Sequence, residues 1–519
     1  MNRRFEARIA ALAGADAGLV RAGPRGLEKE SLRVDPEGYI AATAHPDALG
    51  SALTHRYITT DYSEALLEFV TPPLTQTWEV IQFLCDIHQF VCAEIGDELL
   101  WALSMPCMVR SEADIPLARY GSSNVGRMKT IYRRGLGYRY GRYMQVIAGV
   151  HFNYSLPDAF WPVYQELEQS RAAIDDFRSA AYLALVRNVR RLDWLLLYLF
   201  GASPAVCKSF LRHADTSLHE FDSGTLYEPY ATSLRMSDIG YQNTNQSILA
   251  VSANSLEEYI RDLERATRTP HPQYREIGAR VGAGYRQLNV NQLQIENEYY
   301  STIRPKRIAR SGERPTAALR RGGVEYVELR ALDVNPFEPV GINQRQMRFL
   351  EAFLIFCMLL DSPPIAPEEQ QRNERNHALV AYRGRQPGLV LDRNGVQTPL
   401  ADWAAEILEQ MQPICEMLDA GDAPGYAAAL TEHRALLDDP DRTPAGRLLG
   451  DLRETGKPLF LYGLDLSRAY KDYFLELAPE LNRHRELLLD ESRASVERQA
   501  AIESADRLSF EAYLERYFS

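Results

Sequence analysis

The sequence predicts an α+β protein with an antiparallel sheet, on three observations. Strand-like stretches near 25–34, 55–70, 142–155, 286–296 and 324–333 alternate with helical ones, without the regular rhythm of βαβ units. Residues 77–95, 171–200 and 343–361 place apolar side chains at helical spacing. After Pro367 the strand signals stop, and a chain rich in Ala, Leu, Glu and Arg continues as helix. With 519 residues there is room for more than one domain. A mixed region over 1–367 followed by a mostly helical region over 368–519 is the expected division.

Taken in order, Arg3 and Arg4 precede an Ala/Leu-rich stretch that Glu6, Arg8 and Asp16 interrupt, which predicts a short amphipathic helix rather than a signal peptide. Arg25-Gly-Leu-Glu28-Lys-Glu30-Ser-Leu-Arg-Val34 follows. As a strand it points Glu28 and Glu30 to one face, and Leu32 and Val34 continue that face. Two acids in line with core positions repel each other and lose hydration unless cations sit between them. A metal site explains the pair; an exposed edge strand with two solvated acids also fits it. Lys29 points the other way and is expected to be expendable.

In residues 57–72 the acids Asp61, Glu64 and Glu68 recur among apolar residues. Glu68, inside Leu-Leu-Glu-Phe-Val, needs a partner if buried. Asp61 and Glu68 are the stronger ligand candidates, and Glu64 fits a surface position. Val80, Phe83, Leu84, Ile87, Phe90 and Val91 then mark a helix.

From Met144 to Ser155 the even positions (Met144, Val146, Ala148, Val150, Phe152, Tyr154) are core-like. The odd ones include Gln145, Gly149, His151, Asn153 and Ser155, a hydrogen-bonding set better suited to a ligand cavity than to bulk water. One or two long helices over 171–200 stop at Gly201-Ala-Ser-Pro204. The stretch Ile303–Arg314 is a basic loop containing Lys306, Arg307 and Arg310. In Gly323–Asp333, period 2 aligns Tyr326, Glu328 and Arg330. The acid and the arginine either pair with each other or divide the holding of a cation and a phosphate oxygen.

An apolar helix over 343–361 ends before Ser362-Pro363-Pro364. Beyond it, Trp403, Ile407, Leu408, Met411, Ile414 and Met417 share one face of a helix bent at Pro413. The last helix, from about 480, is heavily charged. No chemistry-bearing motif lies in 368–519.

The net charge of -12 argues against general nucleic-acid binding and attraction to anionic membranes. No apolar run is long enough to cross a bilayer, so a cytoplasmic location is expected. Cys85, Cys92, Cys107, Cys207, Cys357 and Cys415 lack C-x-x-C spacing and read as buried reduced thiols. Scattered carboxylates with one histidine suit Mg²⁺ or Mn²⁺ better than Zn²⁺. There is no Walker A motif, kinase signature or G-x-S-x-G elbow. A nucleotide enzyme outside those classes and a divalent-metal hydrolase both fit.

Several blocks, in order, resemble the proteobacterial glutamate–cysteine ligase family: Gly26-Leu-Glu-Lys-Glu-Ser-Leu-Arg-Val34, Leu53-Thr-His-Arg-Tyr-Ile-Thr-Thr-Asp61, Glu64-Ala-Leu-Leu-Glu-Phe69, Tyr230-Ala-Thr-Ser-Leu-Arg-Met-Ser-Asp-Ile-Gly-Tyr241, Gln294-Ile-Glu-Asn-Glu-Tyr-Tyr300 and Gly322-Gly-Val-Glu-Tyr-Val-Glu328. The likeness runs from about residue 20 to 360 and continues weakly into the helical tail.

The resemblance implies a fold like glutamine synthetase, an antiparallel sheet curved into a funnel with helices outside. It implies ATP-dependent joining of the glutamate γ-carboxylate to the cysteine amine through a γ-glutamyl phosphate, the first step of glutathione synthesis. Position by position, it places metal ligands at Glu28, Glu30, Asp61, Glu68, His151 and Glu328. It places the substrate pocket at Tyr132, Leu136, Gln145, Arg235, Tyr241 and Tyr300, and phosphate contacts at Arg330, Lys306 and Arg307. Tyr62 departs from the family, which commonly has Phe there, and adds a hydroxyl near the expected thiol pocket. Feedback inhibition by glutathione and a monomeric state are further implications. The alternatives are a ligase for another amine acceptor, a divalent-metal phosphohydrolase and a catalytically silent binding protein.

Overall fold

Pairing between distant segments builds one seven-stranded sheet. Its strands are β1 (Arg25–Val34), β2 (Ile58–Thr60), β3 (Leu66–Val70), β4 (Leu99–Leu100), β5 (Gly149–Tyr154), β6 (Ile303–Lys306) and β7 (Tyr326–Asp333). They run in the order β6-β7-β5-β1-β3-β2, with β4 also on β1, and every pairing is antiparallel. The coordinates are a computed structural model that describes residues 3–14, 18–106, 108–211, 216–240, 249–282, 284–310, 312–420 and 425–519.

β1 is central, with both faces buried, so it is not an exposed edge strand. Its second face is buried as well. Lys29 is 3% exposed and lies beneath the helices Thr77–Glu94 and Leu459–Glu476. There its Nζ donates to Ser31 Oγ at 2.5 Å and lies 3.2 Å from His88 Nε2.

The expected helices form as Arg3–Gly14, Thr77–Glu94, Ile174–Phe200 (one helix, not two) and Gln344–Leu359. Gln344–Leu359 starts in a reciprocal cap: Gln346 N donates to Asn343 Oδ1 at 2.8 Å, and Asn343 N donates to Gln346 Oε1 at 3.0 Å. From Phe349 to Leu359 it is apolar on every side but for Glu351, because this part is buried on every side. Ile174–Phe200 packs on it and covers β6 and β7. The buried Arg25 at the start of β1 reaches Glu351 Oε1 at 2.5 Å, and Tyr426 donates to Glu351 Oε2 at 2.7 Å. One carboxylate thus ties sheet, helix and C-terminal region together.

Two strand expectations fail. Residues 286–296 form irregular chain leading into the 3₁₀ turn Glu296–Glu298. Glutamine side chains there replace a ladder: Gln294 Oε1 accepts from Leu288 N, and Gln287 Nε2 donates to Tyr274 O. In 142–155 only Gly149–Tyr154 is strand, and Tyr143–Val146 is a 3₁₀ turn. The basic stretch after Ile303 is not all loop, since Ile303–Lys306 is β6.

Residues 368–519 are mostly helical, with a hairpin of Val390–Arg393 and Val396–Pro399 that periodicity did not reveal. Asn394-Gly395, both at positive φ, makes its turn. Leu400–Asp419 contains Pro413 and buries the anticipated apolar face. The charged end is two helices, Arg485–Ala505 and Phe510–Phe518, the second packed on Asn124–Tyr140. Among the described residues no helix is long and apolar enough to cross a membrane. Of the cysteines, Cys92, Cys207, Cys357 and Cys415 are buried and Cys85 half-buried, all as free thiols; Cys107 lies outside the described residues.

Candidate active site

Strand register brings the acids together. Glu28 lies opposite His151 on β5, Glu30 opposite Glu68 on β3, and Glu328 opposite Asn153. Directly opposed residues share a face of a sheet, so residues far apart in sequence converge on one side. His151 Nδ1 is 2.9 Å from Glu28 Oε2 and 3.9 Å from Glu328 Oε1, and its Nε2 is 3.8 Å from Glu30 Oε1. Asn153 Nδ2 donates to Glu28 Oε1 at 2.9 Å, and Gly149 N donates to Glu30 Oε2 at 2.6 Å. Ligand atoms of Glu28, Glu68 and His151 all lie within 4.8 Å of one another.

Asp61 sits in the turn after β2. Tyr120 Oη fixes that turn by contacts to the carbonyls of Thr60 (2.7 Å) and Asp61 (3.0 Å), and Arg133 Nε also donates to Asp61 O. Glu64 is buried rather than at the surface. Its carboxylate accepts from His45 N at 3.1 Å and Arg119 N at 2.8 Å, a structural role.

The cluster is electrically lopsided. Burial raises Glu68 well above the usual carboxylate range, with help from Glu28, Asp61 and Glu30. Burial also raises Glu30, and the Asp61 charge adds to it against His151 and Arg235. At Glu328 burial is outweighed by Lys306, Arg330, Arg304 and His151, which hold it well below that range. Glu28 is lowered too: burial and Glu328 push upward, but the His151 contact and Lys306 prevail. Lys306 Nζ is 3.3 Å from Glu328 Oε2, and Arg330 Nη1 is 3.0 Å from Glu328 Oε1.

This donor set fits a hard divalent cation. It is rich in carboxylate oxygens with one imidazole, crowds acids at Glu30 and Glu68 whose ionised forms burial disfavours without a nearby cation, and leaves Asn153 Oδ1 buried without a hydrogen-bond partner.

The match to the glutamate–cysteine ligase family model covers residues 10–380. A glutamate–cysteine ligase of Alcanivorax borkumensis is 51% identical over 99% of each chain. One of Azotobacter vinelandii is 49% identical over 100% of this chain and 98% of its own. The crystal structure of the Francisella tularensis glutamate–cysteine ligase in complex with AMP superimposes with a TM-score of 0.90 at 36% identity, covering 96% of this chain and 97% of the other. The chain belongs to the glutamate–cysteine ligase family. A bifunctional glutathione synthetase of Pasteurella multocida matches with a TM-score of 0.71 at 26% identity, and this chain covers 58% of it.

Around the acids, the residues expected from the family fall as follows. Arg235 is buried, and its Nη2 donates to Arg330 O at 3.1 Å. Tyr300 Oη is 3.2 Å from Met236 Sδ, which Arg235 Nη1 also approaches, at 3.1 Å. Behind Tyr300 and Met236 opens a cavity of about 560 Å³ bordered by Arg190, Asp193 and His377.

Tyr132 and Leu136 lie four residues apart on the helix Asn124–Tyr140, hence on one face of it. Burial pushes the Tyr132 phenol up, and Asp61 is among the charges it senses. Gln145 is half-buried in the turn Tyr143–Val146. Tyr62 is buried, its phenol pushed up to about 12 by burial, and its Oη abuts Gly137. Tyr241 lies outside the described residues.

Arg307 donates to Gly322 O, and to Gly323 O at 3.2 Å, at the C-terminal end of the helix Pro315–Gly322, so its guanidinium already has a structural task. With Lys306 it lines a cavity of about 350 Å³ whose apolar walls include Leu263, Ile308, Leu319 and Tyr326.

Sequence reasoning missed Arg304 and Lys129. Arg304, opposite Glu328 on β6, was hidden in what read as a basic loop. Burial pulls the Lys129 amine down to about 8, with Arg133 acting the same way and Glu68 opposing. No residue pattern around Lys129 announced it.

Proposed function

We propose that this site performs the reaction of its family: ATP-dependent ligation of the L-glutamate γ-carboxylate to the amine of L-cysteine, giving γ-glutamylcysteine, ADP and phosphate, the first step of glutathione biosynthesis. The observation that carries the reading is the convergence of Glu28, Glu30, Glu68, His151 and Glu328 on one sheet face, with Lys306, Arg330 and Arg235 along its border.

A carboxylate does not acylate an amine in neutral water without activation. The γ-carboxylate of glutamate therefore attacks the γ-phosphorus of ATP, and the cysteine amine displaces phosphate from the resulting γ-glutamyl phosphate. Arg330 stabilises charge on the transferred phosphoryl group, and Lys306 neutralises the adjoining phosphates. Glu28, Glu30, Asp61, Glu68, His151 and Glu328 would hold Mg²⁺, with Mn²⁺ as the alternative, and such ions supply cancellation of repulsion between the reacting anions. Arg235 holds a substrate carboxylate. Tyr132, Leu136, Gln145 and Tyr300 enclose the amino acids and exclude the water that would hydrolyse the acyl phosphate. No enzyme nucleophile is required.

The cavity beside Lys306 suits the nucleoside, apolar walls for a base and cations toward the phosphates. The AMP held by the Francisella relative supports an adenine nucleotide. The same reading takes the sheet as a funnel like that of glutamine synthetase, 1–367 as the catalytic region and 368–519 as a helical region packed on it. It takes the protein as cytoplasmic and monomeric, with glutathione as a feedback inhibitor.

Product mass spectrometry with ATP, Mg²⁺, glutamate and cysteine tests the reading. γ-Glutamylcysteine is expected, and its absence overturns the proposal. ADP release that needs glutamate but ignores cysteine points to another amine acceptor. Phosphate release from simple esters points to a hydrolase.

A further inference from the structure

Asp333 closes β7, on the strand that carries Glu328 and Arg330, and lies opposite Gly149 of β5. It is 4% exposed, and its carboxylate is saturated with donors: Ala202 N at 2.8 Å, Ser203 Oγ at 2.6 Å and Ser233 Oγ at 2.9 Å. Its Oδ1 is 3.6 Å from Arg235 Nη1. The two serines also govern the backbone of Arg235. Arg235 N donates to Ser203 Oγ at 3.3 Å, and Ser233 Oγ caps the 3₁₀ turn Leu234–Met236 by accepting from Met236 N.

The guanidinium is confined from three sides. Gly149 lies against it so closely that any Cβ there would collide with Nη2 and Cζ. Its Nη2 donates to Arg330 O, where the β7–β5 register shifts between Leu329 and Leu332. Asp333 faces its Nη1. A buried arginine without a counter-charge is costly and turns toward whichever acid is near. Here the competing acid is Glu30, whose Oε2 accepts from Gly149 N.

We propose that Asp333 is a positioning residue for the ligase reaction: it fixes the Arg235 guanidinium beside Gly149 so that Arg235 meets a substrate α-carboxylate instead of collapsing onto Glu30. This rests on the reading of Arg235 as the holder of a substrate carboxylate. Asp333 itself touches no substrate.

The test measures separate KM values for glutamate, cysteine and ATP, with kcat, for Asp333→Asn and, in parallel, Arg235→Lys. For Asp333→Asn the expected result is a rise of at least tenfold in the KM of one amino acid. The KM for ATP stays within twofold and kcat within threefold. Arg235→Lys raises the same KM. A uniform change in all three KM values, no change in any, or a change confined to ATP or kcat overturns the proposal. If Arg235→Lys moves one amino-acid KM and Asp333→Asn does not, the positioning role alone fails. If Arg235→Lys moves neither, the reading of Arg235 fails. Should Asp333→Asn not fold, Asp333→Glu keeps the charge, displaces the carboxylate by one methylene, and is held to the same single-substrate criterion.

Discussion

Replacing Glu328 by Gln preserves shape and removes one charge where the site's cations meet its acids. The side chain is 1% exposed, with Arg330 Nη1 at 3.0 Å and Lys306 Nζ at 3.3 Å. At an effective dielectric constant of about 20, each contact carries roughly 5 kcal/mol of gross attraction. Much of that is offset by the desolvation of the acid. If about 3–4 kcal/mol of it serves to hold Arg330 and Lys306 against the phosphates, kcat falls by about 10²–10³-fold. ADP release, measured at saturating glutamate and cysteine over a Mg²⁺ titration, reads this directly, with circular dichroism to confirm folding. A residue that only tunes metal affinity is rescued by excess Mg²⁺, whereas the role argued here is not. Turnover within threefold of wild type at saturating Mg²⁺ refutes the reasoning.

Three further outcomes follow from buried groups. Burial pulls the Lys29 ammonium down to about 7, so between pH 7 and about 10.4 the unfolded chain holds a proton that the native state lacks, and the penalty is fully present below pH 7. Lys29→Met should therefore raise Tm more at pH 6 than at pH 9, and an equal shift at both pH values refutes the buried amine. Burial, with Arg498 against Glu491, pulls His55 down to about 4, and its Nδ1 accepts from Tyr57 N and Ile58 N. Its depressed pKa makes stability fully present above pH 6.5 and progressively lost toward pH 4, by about 3 kcal/mol. His55→Asn keeps an acceptor for this turn and should flatten the acid limb of a Tm–pH curve; an unchanged limb counts against it. Gly137→Ala drives a Cβ into Tyr62 Oη and should cost about 1–3 kcal/mol by overpacking, recovered in a Tyr62→Phe background. Chemical denaturation that shows no such recovery refutes that contact.

What could be read from the sequence was which face each acid occupies. Period 2 aligned Glu28 with Glu30, His151 with Asn153 and Glu328 with Arg330, and the strands β1, β5 and β7 keep those alignments. What could not be read was register. Nothing local says that Glu28 meets His151 or that Glu30 meets Glu68, because those contacts depend on long-range pairing. Alternation likewise assigns Lys29 to the opposite face but is silent on whether that face is wet. The helices Thr77–Glu94 and Leu459–Glu476 decide that, and they arrive from far along the chain. Glu64 shows a third limit: an acid among apolar residues can be satisfied by backbone N–H groups alone.

The lopsided charge of the cluster gives the reaction a direction across the sheet. On the β7 side Lys306, Arg330 and Arg304 outweigh Glu328 and hold it ionised, and in the proposed reaction this side meets the phosphoryl oxygens. On the β3 side burial and mutual repulsion raise Glu68, and among the described residues it has no Lys or Arg partner as close as those of Glu328, so in the proposed reaction this side receives the cations. Removing a β7 cation should therefore weaken ATP turnover while leaving divalent-cation affinity largely intact, and neutralising Glu68 should do the reverse. A site built only to store a metal has no use for that asymmetry, whereas joining two anions through a phosphoryl transfer can use it.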